Sequence, residues 1–176
     1  MKLVVASDLH GSIEKCRCLL KLFAQEEAQK LLLLGDLFAY DSGGNLAEPS
    51  VADSLNYYAT QIMAVSGNND RPEDAARLDF PYPKCQILPW QGLTIFMTHG
   101  HCYHPKKLPP IDFDILLTGH THVPCFAKHD NYLYLNPGAL RYPRSDSKPS
   151  YLVMDNGIFT WKNLEGQEIM QRRLSD

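Results

Sequence analysis

Apolar residues in this chain gather into short runs, and each of the first five runs stops at a polar residue able to bind a metal ion. Leu3 to Ala6 leads into Asp8 and His10, Leu31 to Leu34 into Gly35 and Asp36, and Ile62 to Val65 into Gly67 and Asn68. Thr94 to Thr98 leads into His99, and Ile115 to Thr118 into His120 and His122. Short β-rich runs of this kind read as buried strands. Between the first two, Ile13, Cys16, Leu19, Leu20 and Phe23 recur at helical spacing, with Ser12 placed to accept the first free N–H groups. The spacing predicts a capped helix, and with its flanking strands a βαβ unit. Ser50, Val51, Ala52 and Asp53 have the form of a capping box, and Val51, Leu55 and Tyr58 then share one face, which predicts a second helix before the third strand. In such α/β sheets ligands bind beyond the carboxyl ends of the strands, where all five polar endings fall.

After residue 125 the alternation changes. Tyr132 to Leu135, Tyr151 to Met154 and Ile158 to Trp161 read as strands with no helices between them. Asp155-Asn156-Gly157 is a hairpin signal between the last two, because Asn-Gly tolerates the positive φ angles of a type I′ turn. The expectation is an α/β (α+β) domain spanning 1–176, with two sheets face to face and helices outside. Two irregular segments, Asp41 to Pro49 and Arg141 to Pro149, are candidate rims; Arg141, Arg144 and Lys148 on the second read as a solvated basic loop.

Composition narrows the function classes. At 176 residues the chain can hide roughly 70% of its unfolded surface, so its fold needs no structural metal and any bound metal would serve chemistry. Seventeen Lys and Arg against 20 Asp and Glu leave a net charge of −3, which disfavours binding to extended nucleic acid. Five cysteines show neither paired C-x-x-C spacing nor a disulfide framework. The apolar run at the start is too short for a secretory signal core, and no apolar run, Leu31 to Leu34 included, exceeds four residues, far below the roughly 18 residues of a membrane span. A cytoplasmic protein without membrane contact is expected.

Asp8-Leu9-His10 alone is as well explained by a turn cap and a surface histidine. Gly119-His120-Thr121-His122 is more specific, because two histidines flanking one residue after a buried strand can turn toward one pocket. The ordered set of Asp8, His10, Asp36, Asn68, His99, His120 and His122 decides the reading. It resembles the pattern of the calcineurin-like metallophosphoesterases: Asp-x-His, Gly-Asp, Gly-Asn, a lone His and Gly-His-x-His. The spacing is similar to that of the short bacterial YfcE-like phosphodiesterase subgroup, including Thr98-His99-Gly100-His101 and Asn136-Pro137-Gly138-Ala139. This resemblance covers nearly the whole chain.

The resemblance implies a four-layer fold of two mixed β-sheets flanked by helices, and hydrolysis of a small phosphodiester. It implies two divalent ions, one held by Asp8, His10, Asp36 and His122, the other by Asp36, Asn68, His99 and His120. A shared Asp36 would hold the pair about 3.5 to 4 Å apart, close enough to activate a bridging hydroxide for in-line attack on phosphorus. Asn68 and His99 are the catalytic residues expected beside that hydroxide. Ligands without thiolate suit Mn²⁺, Zn²⁺, Fe²⁺ or Ni²⁺, and the family makes manganese the leading choice.

One departure bears on specificity. Many phosphomonoesterases of the family carry a histidine directly after the Gly-Asn, whereas Asn69 and Asp70 follow here. Neutral Asn69 cannot donate a proton to a leaving group, so activated diesters are expected to react better than monoesters, and Asn69→His to raise monoester turnover. His129 reads as a turn residue and His104 as a loop residue. His101 is either a partner of a metal ligand or a replacement acid. Arg71 is read either as a contact to a phosphate oxygen or as an exposed helix start, and Asn136-Pro137-Gly138 as a structural turn. Three alternatives remain: a non-catalytic interaction scaffold on the same fold, as in the retromer subunit that shares it, a phosphomonoesterase, or a nucleotide hydrolase. Self-association as a homo-oligomer is left open.

Overall fold

The computed structural model describes residues 1–48 and 50–176. Its strands form two mixed sheets. In the first, β1 (Leu3–Ala6), β2 (Lys30–Leu33) and β3 (Ile62–Ala64) run parallel, and the antiparallel β9 (Ser150–Asp155), β10 (Ile158–Asn163) and β11 (Glu168–Arg173) extend the sheet from β1. In the second, β5 (Leu93–Thr98), β6 (Ile115–Leu117) and β8 (Leu133–Pro137) are parallel, with antiparallel β4 (Cys85–Trp90) and β7 (Pro124–Lys128) at the edges.

The two-residue period of a strand sorts its side chains between layers. Leu3, Val5, Leu32, Leu152 and Met154 of the first sheet meet Ile95, Met97, Ile115, Leu117 and Leu135 of the second in a shared core. Val4, Ala6, Leu31, Leu33 and Val153 face the other way, onto helices α1 (Ile13–Gln25) and α2 (Ser50–Asn56). The middles of these strands are apolar because both faces are covered. Among the described residues no helix lies on the outer face of the second sheet. Tyr103 and Phe113, from the connection between β5 and β6, cover Phe96, Leu116 and Tyr134 there.

Local signals hold in detail at α1, where the Ser12 hydroxyl accepts the Lys15 N–H at 3.3 Å. The β9–β10 turn also follows its sequence, with Asn156 and Gly157 both at positive φ. The capping box at residues 50–53 does not form. Both the N–H and the hydroxyl of Ser50 go to the Glu48 carboxylate, which supplies the negative charge at the start of α2. Pro49, the last residue of the expected irregular loop, lies outside the described residues. Three strands escape the apolar-run reading, β4, β7 and β11, and all three are sheet edges. Edge strands keep one ladder side in water, so they accept the Pro89, Pro124 and charged residues that break an apolar run. Because β11 follows β10, the Asn-Gly hairpin is not the last in the chain.

Candidate metal centre

The carboxyl ends of β1, β2 and β3 and those of β5 and β6 meet at one end of the sandwich, where the polar strand endings converge. Asp8, His10, Asp36, His120 and His122 all adopt left-handed backbone conformations, with φ between 45° and 66°. Asp and His enter this region more readily than most residues but still with strain of order 1 kcal/mol each, and its concentration here marks the site. The turns are pinned by backbone bonds from Asp8 to Gly35, His10 to Asp36 and Gly119 to His99. The His120 N–H donates across the sheets to Asp8 Oδ2 at 3.1 Å.

Side-chain donors fall into two groups whose ligand atoms lie within 4.8 Å of one another: Asp8, His10 and His122, and Asp8, Asp36 and His99. Asp8 is common to both. Asp36 also reaches both sides, its Oδ2 standing 3.8 Å from His10 Nε2 and 3.5 Å from His99 Nε2. Asn68 joins through Oδ1, 3.1 Å from His99 Nε2. The His120 ring belongs to neither group; its centre lies 5.0 Å from that of His99.

Hydrogen bonds set the imidazole tautomers. His99 Nδ1–H donates to the Leu34 carbonyl at 2.6 Å, and His122 Nδ1–H donates to the Tyr142 carbonyl at 2.7 Å. In the neutral rings each Nε2 then presents a lone pair. His122 Nε2 faces Asp8 Oδ1 at 3.0 Å and His10 Nε2 at 3.5 Å. Asp8 Oδ1 is buried without a hydrogen-bond donor. Electron pairs facing one another in a buried site call for a positive charge, so the residues fit a divalent cation. Burial opposes ionisation of Asp8, yet contacts with His10 and His122 and the charge of His99 outweigh it and hold the carboxyl well below the usual range. Burial likewise opposes ionisation of Asp36, but His99 and Asn69 keep its pKa down.

Two residues outside the expected ligand set, Asn69 and Asp70, organise this centre. Asp70 accepts the N–H groups of Asp36, Leu37, Phe38 and Gly67 at 2.7 to 3.1 Å and the Tyr82 hydroxyl at 2.6 Å, locking the loop after β2 to the loop after β3. Asn69 donates its backbone N–H and its side-chain amide to the two oxygens of Asp36, at 2.9 and 2.5 Å. The only sequence signal for either was adjacency to Gly67-Asn68. Gly67 itself is required, because a Cβ there would overlap the Asp36 carboxylate and backbone nitrogen.

Around the donors, a cleft of about 570 Å³ is lined by His10, Phe38, Ala39, Tyr40, Asn68, Asn69, Asp70 and Arg71. Arg71 lies flat on Tyr40, its guanidinium carbon 3.4 Å from the ring centre, and Nη1 donates to the Gly44 carbonyl at 2.8 Å. A second cleft of about 430 Å³ opens past His101, His104 and His120. The His101 ring is 5.5 Å from that of His99, and its Nδ1 is buried without a partner. His104 closes a tight turn with Lys107, and His129 stacks on Tyr132 at 4.4 Å, so neither joins the centre. Asn136 is structural, its amide donating to the Gly119 carbonyl at 2.7 Å. Arg141, read as part of a solvated loop, donates to the His10 carbonyl at 2.7 Å and braces the first donor group.

Two mixed sheets whose strand ends gather carboxylate, imidazole and amide donors into one centre define a metal-binding phosphoesterase. The chain belongs to the calcineurin-like phosphoesterase superfamily, whose domain matches residues 1–157. It is 36% identical to phosphodiesterase YfcE of Escherichia coli strain K12, over 97% of this chain and 96% of that protein. The solved structure of the E. coli phosphoesterase YfcE superposes with a TM-score of 0.89 at 34% identity, covering 98% of this chain and 99% of that one. Zinc-complexed Vps29 from Entamoeba histolytica shares the fold, with a TM-score of 0.69 at 20% identity and 98% coverage of both chains.

Proposed function

We propose that residues 1–176 act as one catalytic domain, a phosphodiesterase that uses two divalent cations, with manganese the first choice. The observation that carries this reading is the pair of facing lone pairs, His122 Nε2 on Asp8 Oδ1 and His99 Nε2 on Asn68 Oδ1, with His10 Nε2 3.5 Å from that of His122. Asp8, His10, Asp36 and His122 would hold one ion, and Asp36, Asn68, His99 and His120 the other. Bound there, the cations supply neutralisation of phosphate oxygens and activation of water. Carboxylate, imidazole and amide ligands without thiolate suit Mn²⁺, and leave Zn²⁺, Fe²⁺ and Ni²⁺ as competitors.

The chain's own groups account for the rest. The Leu34 and Tyr142 carbonyls hold His99 and His122 in the tautomer that presents Nε2, so neither ring needs to reorient. Arg71, pinned on Tyr40 at the rim of the larger cleft, brings a fixed positive charge to a phosphate oxygen. Asn69 directs its backbone N–H and its side-chain amide at Asp36, and a neutral amide has no proton to give a leaving group, which favours diesters with good leaving groups. His101 lies 5.5 Å from His99, ring centre to ring centre, on the wall of the second cleft, and is assigned to the leaving-group side. Five unpaired cysteines among the described residues accord with a reducing, cytoplasmic setting. Among those residues no helix is long and apolar enough to cross a membrane.

The deciding experiment compares bis-p-nitrophenyl phosphate with p-nitrophenyl phosphate on metal-stripped protein resupplied with Mn²⁺, Zn²⁺, Ni²⁺ or Mg²⁺, with Asp36→Asn as control. Metal-dependent diester cleavage that disappears in Asp36→Asn is the expected result. Failure of every metal to bind or to support turnover would overturn the reading in favour of a scaffold. Faster monoester than diester cleavage would reassign the activity to a phosphomonoesterase.

A further inference from the structure

We propose that Tyr142 forms an aromatic subsite beside the metal centre, selecting phosphodiesters in which one ester arm ends in a planar ring, a nucleobase or an aryl group. The inference rests on the phosphodiesterase reading for the anion it places next to that ring. It starts from a backbone that the side chain does not favour. Tyr142 sits at φ 59°, a left-handed conformation in which a Cβ crowds the following carbonyl oxygen.

Part of that geometry is explained by the carbonyl, which accepts His122 Nδ1–H at 2.7 Å. Any residue could present that carbonyl, and Gly or Asn would do so with less strain. Burial does not offset the strain either, because the tyrosine is 57% exposed. The ring therefore stands in solvent at a position that disfavours it, next to the donors.

Its surroundings hold it there. The Leu140 and Arg141 N–H groups bond to the Ser7 and Asp8 carbonyls, each at 3.0 Å, so the loop is fastened to the strand end that carries Asp8. The Arg141 guanidinium reaches the His10 carbonyl at 2.7 Å, and its carbon stands 4.6 Å from the Tyr142 ring centre. The His10 ring centre is 5.5 Å from that of Tyr142. A ring backed by a cation and abutting a ligand imidazole is preorganised, and it spends little entropy on contact. An anion drawn to the cation that Asp8, His10 and His122 would hold then lies within one ring's reach of Tyr142, and offset or edge-on aromatic contact operates at 4.5 to 7 Å between centres. A diester carries two arms on its phosphorus, so one arm can take this surface while the other occupies the leaving position.

Two phosphonates whose P–C bonds the enzyme cannot hydrolyse provide the test. Calorimetric affinities for phenylphosphonate and ethylphosphonate are measured on Mn²⁺-loaded wild type, Tyr142→Phe and Tyr142→Ala, with Mn²⁺ affinity recorded for each protein. Wild type and Tyr142→Phe are expected to prefer the phenyl compound by roughly tenfold, and Tyr142→Ala to lose that preference while binding Mn²⁺ as before. Absence of the preference in wild type, its survival in Tyr142→Ala, or loss of Mn²⁺ affinity in Tyr142→Ala would each overturn the proposal; the last would show that the side chain acts through His122. KM values for bis-p-nitrophenyl phosphate and for adenosine 5′-(p-nitrophenyl) phosphate then separate aryl from nucleobase. The substrate whose KM rises in Tyr142→Ala identifies the arm, and a rise in neither rejects the subsite. A wild type that hydrolyses no diester would sink the phosphodiesterase reading, yet the phosphonate affinities would still decide the subsite.

Discussion

Asp70 carries more of the centre's geometry than any single candidate ligand. Its carboxylate takes four backbone N–H groups and a tyrosine hydroxyl, and burial raises its pKa against those bonds. Removing it leaves several buried donors without partners, each costing about 1 to 3 kcal/mol. Asp70→Ala is therefore expected to destabilise the protein by about 3 kcal/mol in urea unfolding and to weaken Mn²⁺ binding roughly 10- to 100-fold. Asn69 matters through Asp36. Asn69→Ala should lower metal affinity about tenfold by calorimetry, and Asn69→His gives up the amide that orients Asp36, so any gain in monoester turnover must be judged against that loss. The histidines also divide. In metal-free protein, burial and the neighbouring charges lower His101 and His120, whereas Asp36 lifts His99 despite its burial, and Asp8 lifts His122. Protons thus compete with metal most strongly at His99 and His122. Metal affinity should begin to fall above pH 6.5 as pH drops, and NMR titration of metal-free protein should find these two rings above 6.5 with His101 and His120 below it.

Each turn beyond a strand has a stricter specification than the strand itself. The loop after β3 passes so close to Asp36 that Gly67→Ala must displace the carboxylate, and a Cβ on Gly119 would strike the Ser7 hydroxyl and Asp8 Oδ2. Gly67→Ala is expected to abolish metal binding, read by calorimetry, while far-ultraviolet circular dichroism shows the sheets retained. By contrast, Ser12→Ala removes only the cap of α1, 3.3 Å from Lys15 N. It should cost about 1 kcal/mol of unfolding free energy and leave metal affinity as it was. The two variants separate elements that shape the centre from elements that support the sheet behind it.

For the molecule as a whole, the centre occupies one end of the sandwich and a charge cluster helps to tie the elements beyond it. Glu26, just past α1, receives Lys2 at 3.0 Å, Lys162 of β10 at 2.6 Å and the Tyr151 hydroxyl of β9 at 3.0 Å. Burial opposes its ionisation, but these three partners hold its pKa below the ordinary 4.5. A carboxylate lowered on folding contributes stability that is present above 4.5 and lost as pH falls through the folded value. Glu26→Gln should therefore be less stable than wild type by about 1 kcal/mol near neutral pH, the gap closing below pH 4.5 in urea melts.

Much of this architecture is written locally. An apolar run long enough to be buried on both faces names a central strand, and the polar residue that stops it names a candidate donor, so the convergence of Asp8, Asp36 and His99 at the strand ends was legible from order alone. The helix behind Ser12 and the Asn156-Gly157 turn were legible for the same reason, since each depends on residues within a few positions of one another. What the chain order does not contain is how the two sheets are set against each other. His10 and His122 meet across 112 residues, Asp36 and Asp70 across 34, and the left-handed turns that aim five of the seven expected ligands exist because bonds from the opposite sheet and adjoining loops hold them. The edge strands, the Asp70 lock, the Asn69 clamp and the Arg141 brace arise from those long-range contacts. Their side chains carry no periodic signal, because a residue that supports a site through hydrogen bonds to distant backbone needs only to arrive at the right place.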